Sequence, residues 1–185
     1  MTCEPPSRHR SSIARIRLPG VIPALFCLLV PFGATAQDSG CTMQMARSPE
    51  RQVLRCQDGL TVEAEVGSDY VLLDRDRDGG ADAASLRGRA LFVDQPSRPG
   101  RRGFQILTPQ AVAAVRGTRW IADVAGERTS VFVVEGRVSV RRVRAARGVV
   151  LGPGQGVDVD PGTGPLTVRN WPAARAAALL ARFGR

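Results

Sequence analysis

The most acidic stretch of the chain, residues 74–79 (DRDRDG), has residue types that can bind calcium. An EF-hand loop places carboxylates at positions 1, 3 and 5 and glycine at position 6, and Asp82 would fall at position 9. Position 12 should carry a bidentate glutamate, but Ser85 stands there. We therefore favour a solvated, turn-forming run, and a calcium site is the weaker hypothesis for four carboxylates: Asp74, Asp76, Asp78 and Asp82.

The densest basic stretch is a second candidate site, because arginine binds phosphate and carboxylate groups through paired hydrogen bonds. On a strand, its side chains would form a basic face able to meet an anionic polymer or a protein partner. A solvated face is the alternative interpretation. The residues are Arg137, Arg141, Arg142, Arg144 and Arg147.

The remaining residue types exclude most catalytic chemistry. The only histidine is His9, and every basic residue other than histidine is arginine. Without another histidine or any lysine, the chain lacks the groups for a Ser-His-Asp system, an ordinary zinc site or a Schiff base. Paired carboxylates could still hydrolyse glycans, but such enzymes usually have more aromatic residues to hold sugars. We expect a protein that is not an enzyme and needs no cofactor or small-molecule substrate.

A glycine-rich stretch at residues 152–156 (GPGQG) invites comparison with nucleotide-binding loops. A dinucleotide fingerprint needs a strand before it and a helix after it. Here both neighbouring segments have strand patterns, since Val157 and Val159 alternate with Asp158. We interpret the stretch as a tight turn between strands.

The first 36 residues have the three parts of a secretory signal peptide. Four arginines precede an apolar stretch at residues 21–33, and Ala34-Thr35-Ala36 supplies small residues for cleavage. The apolar stretch is shorter than the roughly 20 residues that span a bilayer. We expect a mature protein of residues 37–185, periplasmic or secreted and not in contact with nucleic acid. A retained membrane anchor is the alternative.

Removal of this leader would leave two cysteines, Cys41 and Cys56. An oxidising compartment permits one intramolecular pairing between them. We expect a disulfide, with free thiols or intermolecular pairing as alternatives. On the entropy model a loop of this size stabilises the fold by about 3 kcal/mol.

Short runs of valine, isoleucine, leucine and phenylalanine alternate with glycine-containing turns through the mature chain. This spacing predicts an all-β fold, a sandwich or roll of short antiparallel strands in one domain. The clearest hairpin joins residues 130–134 to 137–143 through Glu135-Gly136. The other predicted strands are 60–66, 70–73, 90–93, 104–107, 111–115, 119–124, 149–151, 156–159 and 166–168.

The C-terminal residues have a different pattern. Trp171-Pro172 precedes a run of alanine, arginine and leucine, and Gly184 stands where a helix would end. We expect a short helix at 172–183 that packs on the sheet through Trp171, Leu179 and Phe183. A partner-binding helix is the alternative.

Four linked motifs resemble the FecR domain family. They are a Thr-Pro strand, a Val-Arg-Gly-Thr-aromatic strand, a Val-x-Val-x-x-Gly-x-Val hairpin and a Leu-x-x-Gly-Gln turn, spread over about residues 86–159. The motif positions are Thr108, Pro109, Arg116, Gly117, Thr118, Trp120, Gly136 and Gly154.

This resemblance implies an extracytoplasmic, all-β, non-catalytic domain. In ferric-citrate type regulators such a domain senses an outer-membrane transporter and signals through a membrane helix to a sigma factor. The residues before the predicted leader core are too few for a cytoplasmic sigma-binding domain. We therefore expect a stand-alone signalling-accessory module whose partner is an envelope protein, such as a membrane receptor or transporter. A surface protein binding anionic polymers and a carboxylate enzyme are the alternatives.

Overall fold

The computed structural model describes residues 40–97 and 103–185, which form thirteen β-strands and one short α-helix. The predicted leader lies outside the described residues. The strands are β1 (Cys41–Arg47), β2 (Glu50–Cys56), β3 (Thr61–Glu65), β4 (Asp69–Leu73), β5 (Ala83–Gln95), β6 (Phe104–Leu107), β7 (Ala111–Val115), β8 (Thr118–Ala125), β9 (Arg128–Glu135), β10 (Val138–Arg142), β11 (Gly148–Leu151), β12 (Gln155–Val159) and β13 (Arg169–Asn170).

Two sheets share the long strand β5. The long sheet has the order β1-β2-β3-β5-β8-β9-β12-β13, and the short sheet has the order β4-β5-β6-β7-β10-β11. All described strand pairs are antiparallel except β5 with β6. Together with the single helix, this architecture confirms the predicted all-β class.

Strand β5 passes from one sheet to the other in its middle. Its first half pairs with β4 and β6, and its second half pairs with β3 and β8. Arg89, at the crossing point, has a φ of 61°, which a non-glycine residue rarely adopts. Opposite the adjacent Gly88, the register with β4 shifts between Asp69 and Tyr70. The two sheets therefore lie as layers of one roll and pack against each other.

The main core fills the space between the two sheets. Trp120 of β8 is its largest fully buried side chain. Alternation along each strand directs one set of residues inward, as in β10, where Val138 and Val140 are fully buried and Ser139 is exposed. Both arms of the hairpin predicted at residues 130–134 and 137–143 are strands, but the prediction that they pair was wrong. Strand β9 pairs with β8 and β12 in the long sheet, whereas β10 pairs with β7 and β11 in the short sheet. The turn at Glu135-Gly136 takes the chain from one sheet to the other, so each strand has its partners in its own sheet.

Helix α1 (Ala173–Ala181) covers the opposite, outer face of the long sheet. Leu179 and the following Phe183 pack there against Phe92, Ile121 and Phe132. The helix is shorter at both ends than the predicted 172–183. Docking through the apolar stripe is confirmed.

One further predicted strand was wrong, and two strands were not predicted. Residues 166–168 form no strand, and the two-residue β13 follows them instead. Both β1 and β2 were missed. The disulfide between Cys41 and Cys56 is present, with an S–S distance of 2.03 Å, and joins register partners of these two strands.

Candidate functional site

The acidic loop between β4 and β5 brings three of its four aspartates together. One carboxylate oxygen from each of Asp74, Asp76 and Asp78 lies within 4.8 Å of the others. Both oxygens of Asp74 accept backbone hydrogen bonds, from the N–H of Asp78 at 3.2 Å and of Gly79 at 3.0 Å. These bonds close the turn, as the preferred interpretation expects. Calcium binding at the three carboxylates stays a prediction.

Asp82, the fourth aspartate, has a different role in the same loop. Its Oδ1 accepts the backbone N–H of Arg75 at 3.1 Å. The Arg75 guanidinium in turn donates to Oε1 of Gln105 in β6 at 2.8 Å. The loop is thus tied to the outer face of the short sheet, and it holds an arginine over that face.

The predicted basic face is divided between two kinds of arginine. Arg141 donates to backbone carbonyl groups of the turn after β10, including that of Val143 at 3.1 Å. Arg142 donates to the carbonyl oxygen of Gly164 at 2.9 Å and also to that of Asp160. These two side chains hold loops in place. Arg137, Arg144 and Arg147 are exposed.

Two turns that carry family motifs, at Gly117 and at Gly136, pack against each other beside the start of β10. The Thr118 hydroxyl accepts the N–H of Arg137 at 3.3 Å and lies 3.1 Å from its carbonyl oxygen. Gly136 has a φ of 85°, and a Cβ there would lie 2.5 Å from the carbonyl oxygen of Gly117. Because only glycine fits this contact, the pair of turns fixes the backbones of Arg116 and Arg137.

These turns lie at one end of a groove on the outer face of the short sheet. The groove has a volume of about 700 Å³. Its base is a row of register partners on β6, β7, β10 and β11, namely Gln105, Ala114, Ser139 and Val150. Its sides are lined by Arg75, Arg116 and Arg137 and by Asp76 and Asp82.

The groove has the composition of a binding surface. Ala114 and Ser139 in its base have small side chains, and Val150 is 62% exposed although it is apolar. The lining contains three arginines and two aspartates, so its net charge is positive. Such a surface can accept an extended segment with carboxylate groups, because guanidinium groups pair with carboxylates through two hydrogen bonds.

Sequence reasoning identified Arg137 but missed Arg75 and Arg116 as its partners. The three residues come from separate segments, and only the pairing of β6, β7 and β10 brings them to one groove. A usable signal was the position of Arg116 and Arg137, each next to a motif glycine in a tight turn.

The other motif residues support the fold. The Thr108 hydroxyl accepts the N–H of Ala111 at 2.9 Å after Pro109, and Thr129 of the long sheet donates to it at 2.8 Å. Gly154 has a φ of 74° in the turn between β11 and β12, so the glycine-rich stretch is a turn as predicted. These residues link the two sheets and place no side chain in the groove.

A two-sheet β-roll with a basic groove on its uncovered face therefore defines the class of this protein. The FecR protein family model matches residues 45–139, and the chain belongs to this family. The matched range includes all three arginines of the groove, and it begins well before the motifs recognised in the sequence. It ends before the turn that contains Gly154.

Solved structures give the same fold. Two crystal structures of a candidate anti-sigma factor from Parabacteroides distasonis ATCC 8503, at 2.50 and 1.65 Å resolution, each give a TM-score of 0.56 at 20% identity. They cover 76% and 75% of this chain, which spans 64% of theirs. No curated protein matches the chain significantly. Among the described residues, no helix combines the length and apolar character that crossing a bilayer requires.

Proposed function

We propose that this chain is an exported, non-enzymatic module of the cell envelope that takes part in signalling by docking an acidic segment of a membrane receptor or transporter. Membership of the FecR family supports the signalling role. The leader-like residues 1–36 support export. The absence of histidine and lysine after His9 supports a binding role over a catalytic one.

One observation carries the proposal. Two motif turns place Arg116 and Arg137 on the same groove, which lies over a sheet face that no described element covers. A sheet face packed on a helix needs a mainly apolar surface, as on the long sheet. The groove instead combines a mixed polar and apolar base with three guanidinium groups, a composition typical of a surface that meets a charged partner.

A genetic complementation experiment tests the signalling role. The gene is deleted, and the transcripts that change are restored with the wild-type chain, an Arg116→Glu/Arg137→Glu chain or an Arg144→Glu/Arg147→Glu chain. We expect the Arg116→Glu/Arg137→Glu chain not to restore the transcripts. The Arg144→Glu/Arg147→Glu chain has the same change of charge outside the groove and should restore them. Equal behaviour of the two variants at equal protein levels would contradict the proposal.

Binding to an anionic polymer is the second candidate, favoured by the excess of exposed arginine. Co-sedimentation of the full chain with lipopolysaccharide at increasing salt distinguishes it from protein docking. A polymer-binding face would lose affinity in both double variants, since both remove exposed positive charge. A protein-docking groove predicts no salt-dependent co-sedimentation in any of the three chains.

A further inference from the structure

The outer face of the long sheet carries an apolar centre between four carboxylates. Phe92, Ile121 and Phe132 are register partners on β5, β8 and β9 and form the centre. The carboxylates surround it on β3, β8 and β12, and they are Glu63, Glu65, Asp123 and Asp158. Acidic groups around an apolar strip suit a helix with one apolar stripe and flanking cations.

The C-terminal segment, residues 171–185, occupies this face in the way such a helix would. Phe183 is fully buried, with its ring centroid 5.8 Å from that of Phe92. Arg182 donates to both oxygens of Asp123 at 3.0 Å and to Oε1 of Glu65 at 3.2 Å. The segment thus joins apolar burial to charge pairing.

Two further arginines of the segment pair with the remaining carboxylates. Arg175 donates to both oxygens of Asp158, at 2.9 and 2.5 Å. Arg185 donates to both oxygens of Glu63, at 3.1 and 2.6 Å. Each of these four carboxylates is therefore paired with an arginine of the segment.

Three of the carboxylates also have partners within the sheets, so the face does not depend on the segment for its geometry. Arg51 of β2 donates to Glu63 at 2.6 Å. Arg89 lies 3.5 Å from Glu65. The Ser130 hydroxyl donates to Asp158 at 2.6 Å. With the segment removed, these three carboxylates would keep bonded neighbours and their positions.

The helix itself has few means of standing alone. It has nine residues, no side-chain N-cap hydrogen bond, no acidic residue in its first turn and no basic residue in its last turn. Isolated helices shorter than about 12–15 residues are marginal in water. The preceding residues 160–168 contain two prolines and two glycines and form no helix or strand. Contact with the face is therefore what maintains the helix.

We propose that this face is a second binding surface, specific for an arginine-bearing amphipathic helix of a partner protein, and that the chain's own C-terminal segment occupies it until such a helix displaces it. This inference does not rest on the proposed function, because the face lies on the long sheet and the groove on the short one. It assigns the segment a competing role in addition to a packing role.

A peptide of residues 169–185 is the probe, added with a fluorescent label to the full chain. In the Arg182→Glu chain, the chain's own C-terminal segment loses its bonds to Glu65 and Asp123, while the residues of the face are unchanged. We expect this chain to bind the peptide at least about tenfold more tightly than the wild type, because the cost of displacement is lowered. Asp123→Arg should abolish binding, and Arg144→Glu, a matched exposed control, should leave it at the wild-type level.

Hydrogen exchange of the full wild-type chain gives an independent readout. We expect the amides of α1 to exchange faster than those of β8 and β9, which indicates opening without global unfolding. Exchange of α1 only at the rate of the sheet, or no peptide binding to Arg182→Glu, would overturn the proposal. A dimer formed by exchange of the segment between two copies would also overturn it, since the occupant would then be a second copy.

Discussion

Replacement of Gly156 by alanine is expected to loosen the C-terminal segment from the long sheet. Gly156 lies on β12 beside Phe132, and the Trp171 ring stacks on Phe132 with a centroid distance of 5.0 Å. A Cβ at Gly156 would lie 2.4 Å from Cε2 of Trp171 and 2.8 Å from the carbonyl oxygen of Val131. The ring would have to move away, because the backbone oxygen leaves no alternative space.

The expected cost has two parts. Overpacking of a closely packed site costs about 1–3 kcal/mol. Loss of an aromatic stack adds about 0.5–1.5 kcal/mol. We therefore expect Gly156→Ala to lower the free energy of unfolding by about 1.5–4.5 kcal/mol.

Urea unfolding followed by circular dichroism measures this cost, and Gly164→Ala is the matched control. A Cβ at Gly164 meets no atom within 4 Å, so this variant should unfold at or slightly above the wild-type midpoint. In a Gly156→Ala/Trp171→Ala chain, the alanine at 156 should cost much less than it does alone. Equal midpoints for Gly156→Ala and Gly164→Ala would refute the reasoning.

Three further predictions concern the rest of the fold. Burial would raise the pKa of Glu63 and Asp158, but their arginine partners outweigh it and hold both pKa values below the ordinary 4.5 and 3.8. The ion pairs of these two carboxylates stabilise the fold fully when the pH is above their ordinary pKa values. This stabilisation is lost as the pH falls through their lowered pKa values, so the urea midpoint should decrease between about pH 5 and pH 2. Trp120→Ala should cost about 3–5 kcal/mol and Trp120→Phe clearly less, because the indole N–H has no hydrogen-bond partner among the described residues; chemical denaturation of both variants tests this. Reduction of the Cys41–Cys56 disulfide should cost about 3 kcal/mol, measured as the difference in unfolding free energy with and without reductant.

Much of the fold was predictable because its strands are short and alternate clearly. In β10 the buried valines at 138 and 140 flank the exposed Ser139, and the pattern alone located this strand. It did not show that β9 and β10 belong to different sheets, because alternation does not specify a strand's partners. Strand β5 was recognised only at residues 90–93. It changes sheets near Arg89, so its buried and exposed residues do not keep one alternation along its length.

The missed strands show a second limit of sequence patterns. In β1, Met43 and Met45 are 63% and 55% exposed, and among the described strands β1 pairs only with β2. A strand with little burial on either face has no alternation to detect. The cysteines at 41 and 56 were the available signal, since they are register partners at the ends of the two strands.

The groove was predictable only in part, since it depends on contacts between distant segments. The basic run after β10 was visible in the sequence, but its members at 141 and 142 bind backbone carbonyl groups in the fold. Arg75 reaches the same groove as Arg137 because the loop that carries it is tied to Gln105 of β6. No local pattern contains that information.

Photo-crosslinking from the base of the groove tests the docking claim most directly. A photoreactive amino acid replaces Ser139, which is exposed on β10, and the chain is irradiated in the cells that produce it. We predict an adduct with an envelope protein, joined at an acidic segment identified by mass spectrometry. The adduct should be lost with Arg116→Glu/Arg137→Glu and kept with Arg144→Glu/Arg147→Glu. No adduct, or equal loss with both double variants, would contradict the account.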